Sequence, residues 1–298
     1  MNTEPTIVWD RYLKKVQAYI AKMPSLSTTA LKVLETCNDP KASAIDLKRV
    51  ISLDPVLTAR VLKLINSAYY SLSIPVTSLT RAIVMLGLNT VKNLALSFAI
   101  LENFKHNESN AVFSPDEFWM HSLCVGVIAK NIASFKMKAS NSLEAFFVAG
   151  LLHDLGKIPL NRQFPSEYRR VWKLAEDRQI NLRQSENQHL GIDHCTVGNM
   201  IAKKWCLGTT LIEALSCHHD PDNSSEVDRD FVYIVSLANQ FANYLNIGSA
   251  GDCTSDHRLI SYLGDNLGVD WKMLNGLGET VLNEIEKAKI FLEIARKG

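Results

Sequence analysis

The sequence predicts an all-α protein, a helical bundle, and two observations lead to this prediction. Helix start signals recur: Asp54-Pro55 and Ser114-Pro115 each place a capping side chain before a proline that fits the first helical turn. Glu117 completes a capping box with Ser114. No stretch shows the alternation of apolar and polar residues, bounded by turns, that a strand needs. We therefore expect helices throughout the chain.

The spacing of apolar residues locates several of these helices and the loops between them. Helices are predicted near residues 141–153, 166–179, 190–205, 208–218, 228–246 and 279–296. Short polar segments separate the helical stretches at 38–43, 106–110, 220–230 and 246–256. The clearest candidate for a boundary between subdomains is the polar segment 104–114. We predict an N-terminal helical subdomain over residues 1–108, a second over 109–250, and a helical C-terminal extension over 251–298.

Composition narrows the class of protein. The 298 residues are 47% hydrophobic and 21% charged, which is an ordinary balance for a globular chain with a sizeable core. The net charge of +1 gives no electrostatic footprint for nucleic acid or an anionic membrane. No apolar run approaches the roughly 20 residues of a membrane span, and the first ten residues lack a secretory pattern. We expect a cytoplasmic protein that binds neither nucleic acid nor membranes.

Four groups of histidine and carboxylate residues lie on different predicted helices. Successive groups are separated by 32, 40 and 24 residues. They are Glu117 with His121, His153 with Asp154, His194 alone, and His218 with His219. The first pair is four residues apart on one helix, so both side chains share a face. His194 begins its helix, whereas the last pair closes one.

A divalent metal ion is the cofactor that such a set of residues favours. Neutral imidazoles and carboxylates suit Fe, Mn, Ni or Zn, as one or two ions. Asp154 is the natural bridge, because its two oxygens can face two ions. A bridged pair of ions can hold a phosphate and lower the pKa of a bridging water. Lys157 lies one turn further and could meet a phosphate oxygen as a point charge.

Each histidine taken alone has a simpler interpretation. A single histidine in a helix is usually a core or surface residue, and we interpret His106, His189 and His257 in this way. Adjacent histidines at a helix C-terminus, such as His218 and His219, could merely complement the helix dipole. The ordered combination of all four groups is what favours metal binding.

The segment HDLGK at 153–157, with His121 before it and the later histidines after it, resembles the HD superfamily of metal-dependent phosphohydrolases. The first third of the chain narrows this resemblance to one family of that superfamily, the HDOD family (HD-related output domain). Three segments carry it: MPSLSTTALKVLETCNDPKAS, DLKRVISLDPVLTARVLKLINSAYYSL and VTSLTRAIVMLGLNTVKNLALS. The resemblance covers roughly residues 15–245. It implies an HD-domain-like helical bundle with an additional N-terminal helical subdomain, in a bacterial signal-transduction protein of the cytoplasm.

The resemblance also implies roles for particular residues. His121, His153, Asp154, His194, His218 and His219 match the metal-binding positions of two-metal relatives, and Glu117 matches a glutamate that some HD-GYP enzymes add. Asn239 stands where the superfamily usually places its last aspartate, so this ligand would bring no charge. The GYP signature is missing after His219, which argues against cyclic dinucleotide hydrolysis.

Three functions remain open from the sequence. The leading one is an HDOD signalling protein with a mono- or dinuclear metal site that hydrolyses a phosphomono- or diester of a small molecule, with Asp154 and Lys157 as catalytic residues. The second is a non-catalytic regulatory module that binds a signalling protein and uses the metal as a structural or sensory element. The third is a di-iron redox or oxygen-sensing site.

Overall fold

A computed structural model describes residues 4–297 apart from 40, 103, 105–111, 137–142 and 253. The described residues form sixteen α-helices and one short 3₁₀ turn at Pro221–Asn223, and no β-strand occurs among them. The predicted all-α class is therefore confirmed. The predicted loop at 106–110, with His106, lies outside the described residues.

The helices follow one another through short connections. In chain order they are α1 (Glu4–Lys22), α2 (Thr28–Asn38), α3 (Ala44–Ser52), α4 (Pro55–Ile65), α5 (Leu79–Leu86), α6 (Leu88–Glu102), α7 (Pro115–Lys136), α8 (Leu143–Leu152), α9 (Lys157–Gln163), α10 (Pro165–Arg178), α11 (Leu182–Leu190), α12 (His194–Lys204), α13 (Thr209–Cys217), α14 (Arg229–Leu245), α15 (His257–Leu267) and α16 (Trp271–Lys297). None of the described helices is both long and apolar enough to cross a membrane.

Both helix starts predicted from capping residues occur in the structure. Helix α4 begins at Pro55, and the Asp54 carboxylate accepts a hydrogen bond from the Leu57 amide at 2.9 Å. Helix α7 begins at Pro115, and the Ser114 hydroxyl oxygen lies 3.4 Å from the Glu117 amide nitrogen. These local capping interactions determine where α4 and α7 begin.

Two predicted helix boundaries were wrong. The helix expected near 190–205 begins at His194 instead, because Gly191 adopts a left-handed conformation with φ of 65° and ends the preceding helix α11 at Leu190. Asp193 then caps α12 by accepting from the Thr196 amide. The last helix begins at Trp271 rather than near 279, and it continues through Gly276. Helix α15 falls within the predicted helical extension.

One apolar core runs through the molecule and joins all of the predicted segments. Helix α6 packs on α2, α4, α5 and α8, while α7 packs on α8, α14 and α16. Helix α1 lies against α9, α11 and α12 rather than against its neighbours in sequence, and α16 contacts α4, α6 and α7. Because packing crosses residues 108 and 250, the division into three folding units stays a prediction.

Two close approaches between backbones position the helices that carry the histidines. Helices α7 and α8 meet where a Cβ on Gly150 would lie 2.6 Å from the Gly126 Cα. The turn between α8 and α9 meets the start of α12, where a Cβ on Gly156 would lie 2.0 Å from the His194 carbonyl oxygen. Only glycine allows these distances, and they bring the His153-Asp154 pair beside the first turn of α12.

Candidate metal centre

Six of the predicted ligands lie together in the interior of the protein. They form two groups that share Asp154: Asp154, His194, His218 and His219 in one, and His121, His153 and Asp154 in the other. Within each group the candidate ligand atoms all lie within 4.8 Å of one another. Residues from four separate parts of the chain therefore converge around one aspartate.

The two oxygens of Asp154 face different histidines. Oδ1 lies 3.3 Å from His194 Nε2 and 3.6 Å from His218 Nε2. Oδ2 lies 3.2 Å from His153 Nε2 and 4.0 Å from His121 Nε2. This arrangement gives Asp154 the geometry expected of a residue between two cation positions.

Hydrogen bonds at Nδ1 orient three of the rings. His153 Nδ1 lies 2.6 Å from the Gly150 carbonyl oxygen, and His218 Nδ1 lies 3.1 Å from that of Ala214. His194 Nδ1 lies 2.6 Å from Glu186 Oε2. A proton on Nδ1 donates to each of these acceptors and leaves the Nε2 lone pair directed at Asp154, which is the tautomer that a metal ligand requires.

Glu186 was not among the residues singled out from the sequence. It is fully buried on α11, where it also accepts hydrogen bonds from the His194 amide at 2.8 Å and from the Tyr168 hydroxyl at 2.6 Å. Carboxylates that hold the second ring nitrogen of a ligating histidine are a common feature of metal sites. Its spacing of eight residues from His194 carries no helical signal, because Gly191 breaks the helix between them.

Asp252 is a second carboxylate that the sequence did not indicate. It lies in the segment 246–256, which was predicted as a loop at the edge of the C-terminal extension. Its Oδ1 accepts from the Leu182 amide at 2.8 Å, and its Oδ2 lies 3.4 Å from Lys157 Nζ and 3.9 Å from His219 Nε2. No spacing rule connects this loop to the histidines, so only the fold reveals it.

Lys157 is buried within the cluster instead of facing solvent. Its ammonium donates to Asp154 Oδ2 at 2.8 Å, to the Ala250 carbonyl at 2.9 Å and to Asp252 Oδ2 at 3.4 Å. These three acceptors match the three N–H donors of an ammonium group. The contact of Lys157 with a phosphate stays a prediction, and in this structure its partners are protein oxygens.

The remaining two predicted ligands, Asn239 and Glu117, differ in burial. Asn239 is buried, and its Oδ1 lies 3.0 Å from His121 Nε2, so it belongs beside the His121 group. Glu117 is exposed and belongs to neither group, and its backbone carbonyl accepts from the Ser249 amide. The structure does not bring the Glu117 carboxylate to the cluster.

Burial keeps several of the rings neutral. It lowers the pKa of His121 to about 4, and it also lowers the pKa of His153 and of His219. Burial alone would raise the pKa of Asp154, but the adjacent His153 and Lys157 outweigh it and hold that pKa well below its usual range. Neutral imidazoles and an ionised carboxylate are the forms that bind metal ions.

His194 and His218 lie closer to negatively charged groups, which raise their pKa values. Burial opposes a charge on His194, but the facing Glu186 carboxylate outweighs it and raises the pKa of this ring. Burial likewise opposes a charge on His218, whereas Cys195 and Asp154 raise its pKa to about 9. The neighbouring Glu186 and Asp154 carboxylates thus favour a positive charge at His194 and His218.

The residues fit a bound cation. Buried polar atoms normally have hydrogen-bond partners. Here Asp154 Oδ1, His153 Nε2 and His219 Nε2 are buried without one. All three are electron-pair donors in groups of converging ligands, so a cation would satisfy them. The mixed imidazole and carboxylate donors suit Fe, Mn, Ni or Zn.

Two grooves reach His219 at the edge of the cluster. One has a volume of about 500 Å³ and extends past Asn181, Gln184 and Gln240, and the other, of about 300 Å³, extends past Asp222 and Tyr262. His219 lines both grooves. His219 therefore connects the buried cluster to these grooves, although its side chain is only 4% exposed.

An all-α bundle that gathers histidines from several helices around the aspartate of a His-Asp pair defines an HD-type protein. The HDOD domain family matches residues 23–221, and the chain belongs to this family.

Solved structures share the fold over nearly the whole chain. An HDOD domain protein of unknown function from Geobacter sulfurreducens is 26% identical, with a TM-score of 0.75 over 95% of this chain and 98% of that one. A candidate phosphohydrolase from Shewanella amazonensis SB2B is 22% identical, with a TM-score of 0.69 over 92% and 97% of the two chains. A candidate signal transduction protein from Marinobacter aquaeolei VT8 is 20% identical, with a TM-score of 0.77 over 99% and 67%.

A relative in Treponema pallidum is an uncharacterized protein, 22% identical over 228 residues. The match covers 76% of this chain and 43% of the relative, so the chain spans less than half of that protein's length.

Proposed function

We propose that this protein is a signalling protein that binds a divalent transition-metal ion at the Asp154 cluster and hydrolyses a phosphate ester of a small molecule. The observation that carries the proposal is that His219 belongs to the cluster and also lines both grooves. Structural metal sites are closed by protein ligands, whereas catalytic sites keep a position open to substrate. The position of His219 between the cluster and the grooves favours the catalytic kind.

The chain's own residues would prepare the site for this chemistry. A bound metal ion supplies a Lewis acid that polarises a phosphoryl oxygen and acidifies a water molecule. Asp154 presents one oxygen to each group of histidines, and Glu186 holds the proton of His194 on Nδ1. Phosphohydrolase activity is also what the names of two Shewanella amazonensis proteins of this fold propose, and one of these is named as metal-dependent.

Replacement of Asp154 tests the proposal. We expect protein purified without chelators to contain metal and to hydrolyse p-nitrophenyl phosphate, bis-p-nitrophenyl phosphate or a nucleotide. Asp154→Asn should lose the metal and at least about 100-fold of the hydrolysis rate, because Asp154 is the one described residue that belongs to both groups. Elemental analysis and a chromogenic assay measure both effects.

The exposed Asp265 on α15 provides the control, since Asp265→Asn changes the same charge away from the cluster and should leave both readouts unchanged. Metal-loaded protein without turnover on any of these esters would contradict the catalytic part. Protein that takes up no metal at all would contradict the whole proposal.

A non-catalytic regulatory module is the second candidate, favoured by a group of exposed apolar side chains on the N-terminal helices. These are Leu31, Ile45, Leu53, Val56, Ile74, Val84 and Met85. Such side chains are frequent where a partner protein binds. In this case Asp154→Asn should lower the free energy of unfolding without abolishing any reaction.

Absence of iron in an anaerobically purified sample would remove the di-iron alternative.

A further inference from the structure

We infer that the centre holds a single divalent ion on the His194, His218 and His219 side of Asp154, with Asp252 as an additional ligand. The ammonium of Lys157 takes the place of a second cation on the His121 and His153 side. This inference rests on the proposed metal-binding function and restricts it to a mononuclear site.

Asp252 is held where a ligand of this ion should be. Its Oδ1 is fixed by the Leu182 amide, at the first residue of α11, which leaves Oδ2 directed into the cluster. Oδ2 and His219 Nε2 are 3.9 Å apart, too far for a hydrogen bond. The Nε2 atom is buried without a partner. Two ligands that each lie about 2.0–2.2 Å from a shared ion are at most about 4.0–4.4 Å apart, so both of these atoms can reach one ion.

Lys157 fills the electrostatic role of a cation on the other side. Its Nζ lies 2.8 Å from Asp154 Oδ2, the oxygen that faces His153 and His121. The side chain is fully buried, and all of its donors have acceptors. A metal ion bound at Oδ2 would repel this ammonium at short range in a site that excludes water.

Among the described residues, the same side has no carboxylate besides that of Asp154. Asn239 contributes a neutral amide, whose Oδ1 already interacts with His121 Nε2 at 3.0 Å. The opposite side has Asp252 next to His219 and Glu186 behind His194. The negative charge is therefore concentrated on the His194 side, where a cation is stabilised most.

The charge of the whole cluster leads to the same stoichiometry. The cluster contains three carboxylates, those of Asp154, Asp252 and Glu186, and one ammonium, that of Lys157, and all four side chains are buried. With neutral imidazoles this leaves two net negative charges, which one divalent ion balances. A second divalent ion would leave excess positive charge in the protein interior, which is costly.

The stoichiometry is tested by measuring the binding of Mn²⁺ to the full chain with titration calorimetry and electron paramagnetic resonance. We expect one Mn²⁺ per chain with the spectrum of an isolated ion. Lys157→Met should admit a second Mn²⁺ and produce a spin-coupled spectrum. Two coupled ions in the unaltered protein would overturn the inference and leave the proposed function standing. Binding of neither Mn²⁺ nor Zn²⁺ would overturn both.

Substitution of single ligands tests the assignment of sides. Asp252→Asn should raise the Kd for Mn²⁺ at least about tenfold, and Asp252→Glu should restore part of the affinity. His194→Gln should abolish binding, whereas His153→Gln should retain one ion. Asp265→Asn is the matched control, with unchanged Kd. An unaltered Kd in a folded Asp252→Asn protein, checked by its thermal unfolding, would remove Asp252 from the ligand set.

Discussion

At the residue scale, the centre depends on side chains that do not themselves face the ion. His194 could bind through either ring nitrogen, and Glu186 selects Nε2 by accepting the proton of Nδ1 at 2.6 Å. Glu186 is in turn fixed by the Tyr168 hydroxyl. A histidine that is held in this way loses little conformational freedom when the metal binds, and its ring is a stronger base.

Glu186→Gln should therefore weaken metal binding without removing a ligand. The neutral amide oxygen can still accept from Nδ1 but polarises the ring less, so we expect the Kd for Mn²⁺ to rise about 10–100-fold. Isothermal titration measures the change. Glu176→Gln, on the exposed face of the adjacent α10, is the control. Equal affinities of the two variants would show that Glu186 has no part in binding.

At the element scale, the centre depends on how closely one turn approaches one helix. The His153-Asp154 turn and the start of α12 are in backbone contact at Gly156, whose hydrogen points at the His194 carbonyl. Any side chain at position 156 would separate the two elements, and Asp154 would then move away from His194. Helix packing thus controls the distance between ligands.

Gly156→Ala should cost both stability and metal affinity. The added methyl group would lie 2.0 Å from the His194 oxygen, and we expect the free energy of unfolding to fall by about 3 kcal/mol. Gly276→Ala on α16 is the matched substitution, because a Cβ there meets nothing within 4 Å and should stabilise the helix by about 0.5–1 kcal/mol. Urea denaturation of both variants measures these changes, and similar results for the two would contradict the steric argument.

At the scale of the whole molecule, a half-buried polar cluster joins the N-terminal helices to the rest of the fold. Lys130 on α7 donates to Glu144 on α8 and to the Tyr69 hydroxyl, which follows α4. Its ammonium also lies 4.8 Å from the centre of the Tyr69 ring. Together with α16, which packs on α4 and α7, this cluster fixes the position of the N-terminal unit.

Lys130→Met should destabilise the protein by about 3 kcal/mol, since it leaves the Glu144 carboxylate buried without a counter-charge. Lys130→Met combined with Glu144→Gln should recover much of this loss, because the double variant buries no charge. Urea denaturation of both single variants and of the double variant gives the coupling energy. Simple additivity of the two losses would indicate that the pair does not interact. The Kd for Mn²⁺ of the folded variants should not change.

The sequence by itself determined the all-α class, the starts of α4 and α7, and the histidines that meet at Asp154. Caps and helical periodicity act over a few residues, so they can be recognised in a single chain. The histidines were predicted from the order in which their motifs follow one another along the chain.

Only the tertiary structure decided which other residues join them. Asp252 and Glu186 enter the cluster through packing between elements, whereas Glu117 shares a helical turn with His121 and still faces solvent. Lys157 turns inward because two aspartates and a carbonyl surround it. These contacts depend on the distances between helices that are far apart in the chain, and local sequence patterns do not contain those distances.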